Sequence, residues 1–137
     1  MDTHSSEEII TQAVIGPYQL MYKSDGILYI HVMNSVGPNI ELLIKAVSLI
    51  GEMVGYKQVP MLATYDPFAL PSEEARQFWA RKDACPYLCA EAFVAPSTAL
   101  QLIGKRYMNT EKPERNSRVF ANEAEAIAWL KQFVAKG

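Results

Sequence analysis

Cysteine and histidine are scarce in this chain. It holds two of each: Cys85, Cys89, His4 and His31. A structural zinc site needs four such ligands at recognisable spacing. The C-x3-C pair at Cys85 and Cys89 is neither the redox C-x-x-C motif nor half of a zinc site. The expectation is two reduced thiols, at least one of them packed as a small hydrophobe, with no metal and no cofactor. His31 falls in the middle of a strand pattern and reads as a packed, satisfied imidazole, while His4 lies in the leading tail. No Ser-His-Asp set and no pair of carboxylates carries a motif that would bring it to one cleft. Nucleophilic or acid–base catalysis therefore has little to stand on, and a non-enzymatic protein is expected.

Surplus charge is also missing. The net charge is −2 and the isoelectric point about 5.7, so no overall field draws the chain to nucleic acid or to an anionic membrane. None of the glycines stands in the pattern of a phosphate-binding loop. No apolar run is long enough to cross a bilayer. The start, MDTHSSEEII, is polar and acidic, whereas a secretory signal begins basic and then turns apolar. The expected location is the cytoplasm, without membrane insertion and without nucleic acid.

What is present suits one globular domain. The chain has 137 residues, half of them hydrophobic and a fifth charged, which is enough apolar material for a core. Residues 1–17 read as a tail and lead-in. Ile9 to Ile15 is apolar enough to pack, but Gly16-Pro17 ends it and the pattern assigns it no element. Residues 18–137 read as the domain.

Tyr18 to Lys23 alternates, with Tyr18, Leu20 and Tyr22 facing one way and Gln19, Met21 and Lys23 the other, as in a half-buried strand. Asp25-Gly26 follows as a turn that needs positive φ, and Ile27 to Met33 returns as a second strand. Gly37-Pro38-Asn39 opens a helix whose apolar positions, Ile40, Leu43, Ile44, Val47, Ile50 and Val54, recur at helical spacing. Gly55 stands where a left-handed helix terminus is common. Gln58 to Tyr65 is a third strand, and Pro60 is tolerable near its start. Ser72 is a good N-cap after Pro71, with Glu73 and Glu74 in the favourable first turn. Ala75, Phe78 and Trp79 face inward along that helix. Ala90 to Ala95 is a fourth strand, and Pro96-Ser97 starts a third helix. Asn109 to Ser117 reads as a polar loop, and Arg118 to Phe120 as a short last strand. Asn122 with Glu125 resembles a capping box at the start of a final helix.

The order β-β-α-β-α-β-α-β-α predicts an α/β fold. Its sheet is mixed but mostly parallel, led by an antiparallel hairpin and covered by about four helices.

That order resembles the SpoIIAA-like branch of the STAS superfamily, in particular its small stand-alone bacterial members. The likeness rests on Asp25-Gly26-Ile27-Leu28, on Ser72-x-x-Ala75-Arg76 and on Ala92-Phe93-Val94 leading to Ser97. The most specific part is Arg118-Val119-Phe120-x-x-Glu123-x-Glu125-Ala126-x-x-Trp129-Leu130. It spans about residues 18 to 135. The resemblance implies regulation through protein contact. In the antagonists of that group, a Ser or Thr at the head of the helix after the third strand is phosphorylated, and Ser72 is the positional match. Those proteins carry a short Asp-Ser-Ser type turn there; this chain has the longer Asp66-Pro67-Phe68-Ala69-Leu70-Pro71. Relatives of the fold in the CRAL-TRIO class bind lipids, which implies an alternative: a carrier of a small apolar ligand.

The candidate interaction or regulatory residues are Asp66, Phe68, Leu70, Ser72 and Arg76. Asp66 can bind a ligand or cap its own turn. Ser72 can be a phosphosite or simply the N-cap. Phe68 and Leu70 lie between prolines, where exposed apolar contact is natural. Arg76 can neutralise Asp66, hold an anion or remain solvated. The basic run Lys105, Arg106, Lys112, Arg115 and Arg118 reads as a solvated loop or a contact for an acidic partner. The aromatic set Tyr18, Tyr22, Tyr29, Tyr65, Phe68, Phe78 and Trp79 is core or the lining of a pocket. A protein partner or self-association, through a sheet edge or an apolar helix face, is expected.

Overall fold

The computed structural model describes residues 7–34 and 40–134. Its six strands are β1 (Ile9–Ile15), β2 (Tyr18–Lys23), β3 (Leu28–Val32), β4 (Val59–Tyr65), β5 (Leu88–Val94) and β6 (Asn116–Phe120). Its four α-helices are α1 (Ile40–Met53), α2 (Glu73–Ala80), α3 (Thr98–Arg106) and α4 (Glu123–Leu130). The strands lie side by side in chain order, antiparallel from β1 to β3 and parallel from β3 to β6. This is the mixed α/β sheet that the pattern predicts, with one strand more.

The extra strand corrects the reading of residues 1–17 as a lead-in. Ile9–Ile15 pairs along β2, from Ile15 opposite Tyr18 to Ile9 opposite Lys23, with a register shift near Thr11. As an edge strand it leaves Ile9, Ile10 and Val14 exposed, so it lacks the clean alternation that marks a half-buried strand. The expected helix opening at Gly37-Pro38-Asn39 and the tail at residues 1–6, including His4, lie outside the described residues.

The hairpin turn forms for the expected reason. Gly26 has φ +83°, and Asp25 braces the return by accepting from the Ile27 amide at 3.0 Å and from the Tyr29 hydroxyl at 2.5 Å. The helix ends also follow the sequence. Ser72, Ser97 and Asn122 each accept from the amide three residues on, which satisfies one free N–H per helix. Gly55 has φ +68° just past α1. Residues 109–117 differ from the predicted loop. Tyr107–Glu111 continues α3 as a π-helical turn that Lys112 closes at φ +54°, and β6 begins at Asn116.

Topology decides which face each helix covers. Strands laid down in one direction with right-handed crossovers place every intervening helix on the same side. Accordingly Leu43, Ala46 and Ile50 of α1 and Ala75 of α2 share a core with Leu20, Leu28, Ile30, Met61 and Ala63. Beyond β6 the chain crosses to the other face, where Ala126 and Leu130 of α4 pack with Leu62, Ala90 and Ala92. On the crossover face, α1 leans on β1 and β2 and α3 on β6, so the ground over β3 and β4 is left only partly covered.

Candidate functional site

The partly covered ground is a cavity of about 270 Å³. Its floor is Leu20 of β2, Ile30 and Val32 of β3, and Met61, Ala63 and Tyr65 of β4. Leu43, Ala46 and Ile50 of α1 form one wall; Ala75 and Trp79 of α2 with Leu100, Ile103 and Gly104 of α3 form the other. Small residues explain the space: Ala46, Ala63, Ala75 and Ala95 line it where larger side chains would fill it. It lies toward the carboxyl ends of the parallel strands, the usual ligand position in such sheets. The loop between β4 and α2 is its rim, contributing Phe68, Ala69, Leu70 and Pro71. Phe68 is 83% exposed and Leu70 41%.

The five candidate residues divide. Phe68, Leu70 and Arg76 line the cavity; Asp66 and Ser72 do not. Asp66 does not cap its own turn with its carboxylate, as the Asp-Pro pattern suggested. Its Oδ2 accepts from the Asn34 amide at 3.0 Å and its Oδ1 from His31 Nε2 at 2.8 Å. Asn34 in turn accepts from the Phe68 amide at 3.0 Å. The rim loop is thereby tied to the chain leaving β3. The hydrogen bond from His31, and then that from Asn34, holds the Asp66 carboxyl below the usual carboxylate value. Satisfied on its other ring nitrogen by Thr64 at 2.7 Å, His31 is the satisfied imidazole its position suggested. Ser72 Oγ accepts from the Ala75 amide at 3.1 Å, the capping role.

Arg76 is neither solvated nor paired with Asp66. It donates through Nε to Glu111 Oε1 at 2.6 Å and through Nη1 to the Pro71 carbonyl at 2.8 Å. Both ends of the ion pair are buried. The π-helical turn carries Glu111 back over α2, and the sequence, read as loop there, hid this pair.

A second buried pair was also hidden. Glu91, in the middle of β5, is 0% exposed. Its carboxylate accepts from Trp79 Nε1 at 2.9 Å, Tyr107 Oη at 2.6 Å, Arg115 Nη1 at 3.1 Å and Ser117 Oγ at 2.6 Å. Burial pushes the Glu91 carboxyl up, against the pull of Arg115 and these donors. Arg115, expected in a solvated loop, also donates to the carbonyls of Trp79 at 2.7 Å and Arg81 at 2.8 Å, groups the end of α2 leaves free. A glutamate inside the apolar run Ala90–Val94 was the one signal that could have found this cluster. The network matters to the cavity because it holds Trp79 and Tyr107, both lining residues, in fixed positions.

Of the aromatic set, Tyr18, Tyr65, Phe68 and Trp79 line the cavity. Tyr22 and Phe78 pack at the margin of the same core, and Tyr29 packs on the opposite face. Cys85 is fully buried and Cys89 partly so, and both are free. Burial pushes the Cys85 thiol up to about 11, away from nucleophilic chemistry. Among the described residues no group of His, Cys, Asp and Glu side chains could hold a metal ion, and no helix is long and apolar enough to cross a membrane.

A family model, described as a domain of unknown function (DUF7793), matches residues 21–134. The chain belongs to the DUF7793 family. No curated protein and no solved structure matches it. The DUF7793 match runs from within β2 to just past α4, so it takes in the floor except Leu20, both walls and the rim of the cavity. It leaves out β1 and Tyr18.

Proposed function

We propose that this DUF7793 protein is a non-enzymatic binding domain that takes a small apolar molecule into the cavity beneath the 66–71 loop. The supporting observation is the cavity itself. Its volume is close to the lower end of natural ligand sites, and its lining is mainly hydrocarbon. The likeness to SpoIIAA-like STAS domains, with its CRAL-TRIO relatives, is part of the same proposal; the strand and helix order supports it.

A second reading keeps the expected protein partner. It is favoured by Phe68 and Leu70, which offer apolar surface at the rim. In the two readings the same loop serves either as the edge of a ligand site or as a docking knob.

Native mass spectrometry on protein purified gently from its own source separates them. The ligand reading expects a noncovalent small-molecule adduct that is lost on denaturation. A bare mass with a second polypeptide attached through Phe68 would favour the partner reading and contradict the first.

A further inference from the structure

A hydrocarbon lining by itself sets the size of a ligand, not its chemistry. Two phenol oxygens without a protein partner stand in that lining. Tyr18 and Tyr65 stand on one face of the sheet and in one row, because Tyr18 pairs with Val32 across β2 and β3, and Val32 lies beside Tyr65 across β3 and β4. Two strand spacings separate them, about 9.6 Å along the sheet. Both line the cavity. Tyr18 is only 7% exposed, yet among the described residues neither hydroxyl makes a hydrogen bond. Two other phenols of the fold are satisfied by the protein: Tyr29 donates to Asp25 and Tyr107 to Glu91. Neither the Tyr18 nor the Tyr65 hydroxyl is sealed from solvent, so each has room for a partner from outside the protein, as a tyrosine hydroxyl in an apolar setting ordinarily takes one.

We propose that Tyr18 and Tyr65 form the polar end of the site and donate hydrogen bonds to a neutral oxygen acceptor, a ketone, ester or amide carbonyl, on the apolar ligand. This rests on the ligand-binding reading above and adds the ligand's chemical class. The cavity of about 270 Å³ holds roughly nine groups of water size at about 30 Å³ each. The part of the ligand held inside it is therefore about ten non-hydrogen atoms.

The charges nearby select a neutral acceptor over an anion. Among the described residues Arg76 is the only charged side chain lining the cavity, and Glu111 already neutralises it. Behind the wall, Arg115 is matched by Glu91 in the same way. Each guanidinium faces one carboxylate, so no positive charge is left over for a carboxylate or phosphate, which would be desolvated beside two buried acids. Nor is Glu91 free to receive a donor from the ligand, since four protein groups already bond its two oxygens. Burial pushes both phenols up, which keeps each one protonated at neutral pH, with a proton to donate to such a ligand.

Three phenyl-alkyl probes of similar size test this: butylbenzene, butyrophenone and 4-phenylbutyrate, titrated into the wild-type protein and into the double variant Tyr18→Phe/Tyr65→Phe. The expected result is that butyrophenone binds the wild type at least about fivefold tighter than butylbenzene, the gain when even one of the two phenols makes an ordinary neutral hydrogen bond. The carboxylate binds weakest. The double variant loses the ketone preference but keeps its affinity for butylbenzene, a readout that also shows the cavity intact. Equal affinity for ketone and hydrocarbon in the wild type, a preference that survives the double substitution, or tightest binding by the carboxylate overturns the inference while leaving the apolar site standing. Failure of all three probes to bind overturns the ligand-binding reading and this inference with it. Should the double variant not fold, the same comparison on each single variant decides.

Discussion

Glu91 shows how much one residue can organise without touching a ligand. Four donors from α2, α3's extension, the 112–115 loop and β6 meet on its two oxygens. Replacing it by glutamine keeps the shape but leaves the Arg115 guanidinium buried without a counter-charge. Removing one partner of a buried pair costs about 3–5 kcal/mol. Chemical denaturation of Glu91→Gln is expected to show a loss in that range; a loss below about 1 kcal/mol would mean that the pair is not the structural centre described. The sequence carried half of this arrangement. A carboxylate among Ala90, Ala92 and Phe93 is anomalous by its neighbours alone, whereas Arg115 sits among Lys112, Glu114 and Asn116 and looks like ordinary loop charge. Arg76 was misread for the same reason. Its partner, Glu111, is 35 positions away, and nothing local announces a contact of that separation.

At the scale of elements, local chemistry was legible wherever the cause was local. Asp25-Gly26, Ser72, Ser97 and Asn122 act as their residue types suggest, since a turn or a cap is decided within three or four residues. Ser72→Ala is expected to cost about 1 kcal/mol in thermal or chemical unfolding, with α2 fraying first in amide exchange. A neutral effect would show that Ser72 is not held for its capping bond. The elements that escaped were those whose cause is distant. β1 is a strand because β2 offers it an edge. The π-helical turn Tyr107–Glu111 persists because Glu111 reaches Arg76 and Tyr107 reaches Glu91. Within their own windows these segments read as unassigned and as polar loop.

The whole molecule adds what no element contains. Strand order and crossover hand put α1, α2 and α3 on one face, and the lean of α1 toward β1 and β2 opens the space above β3 and β4. The α/β class follows from the alternation of patterns, so it could be read from the chain. The cavity could not, because Ala46, Ala63, Ala75, Ala95 and Gly104 become neighbours only after folding. Its rim loop, by contrast, drew attention in the sequence by carrying Phe68 and Leu70 between prolines.

The central claim is that this space accepts an apolar molecule. The most direct measurement is a methyl-resolved NMR titration of the wild-type protein with butylbenzene. Saturable shifts are expected for the methyl groups of Leu43, Ile50, Met61 and Leu100, which line the cavity, while Leu62, Ile127 and Leu130 on the α4 face stay fixed. No saturable shift, or shifts confined to the α4 face, would contradict it.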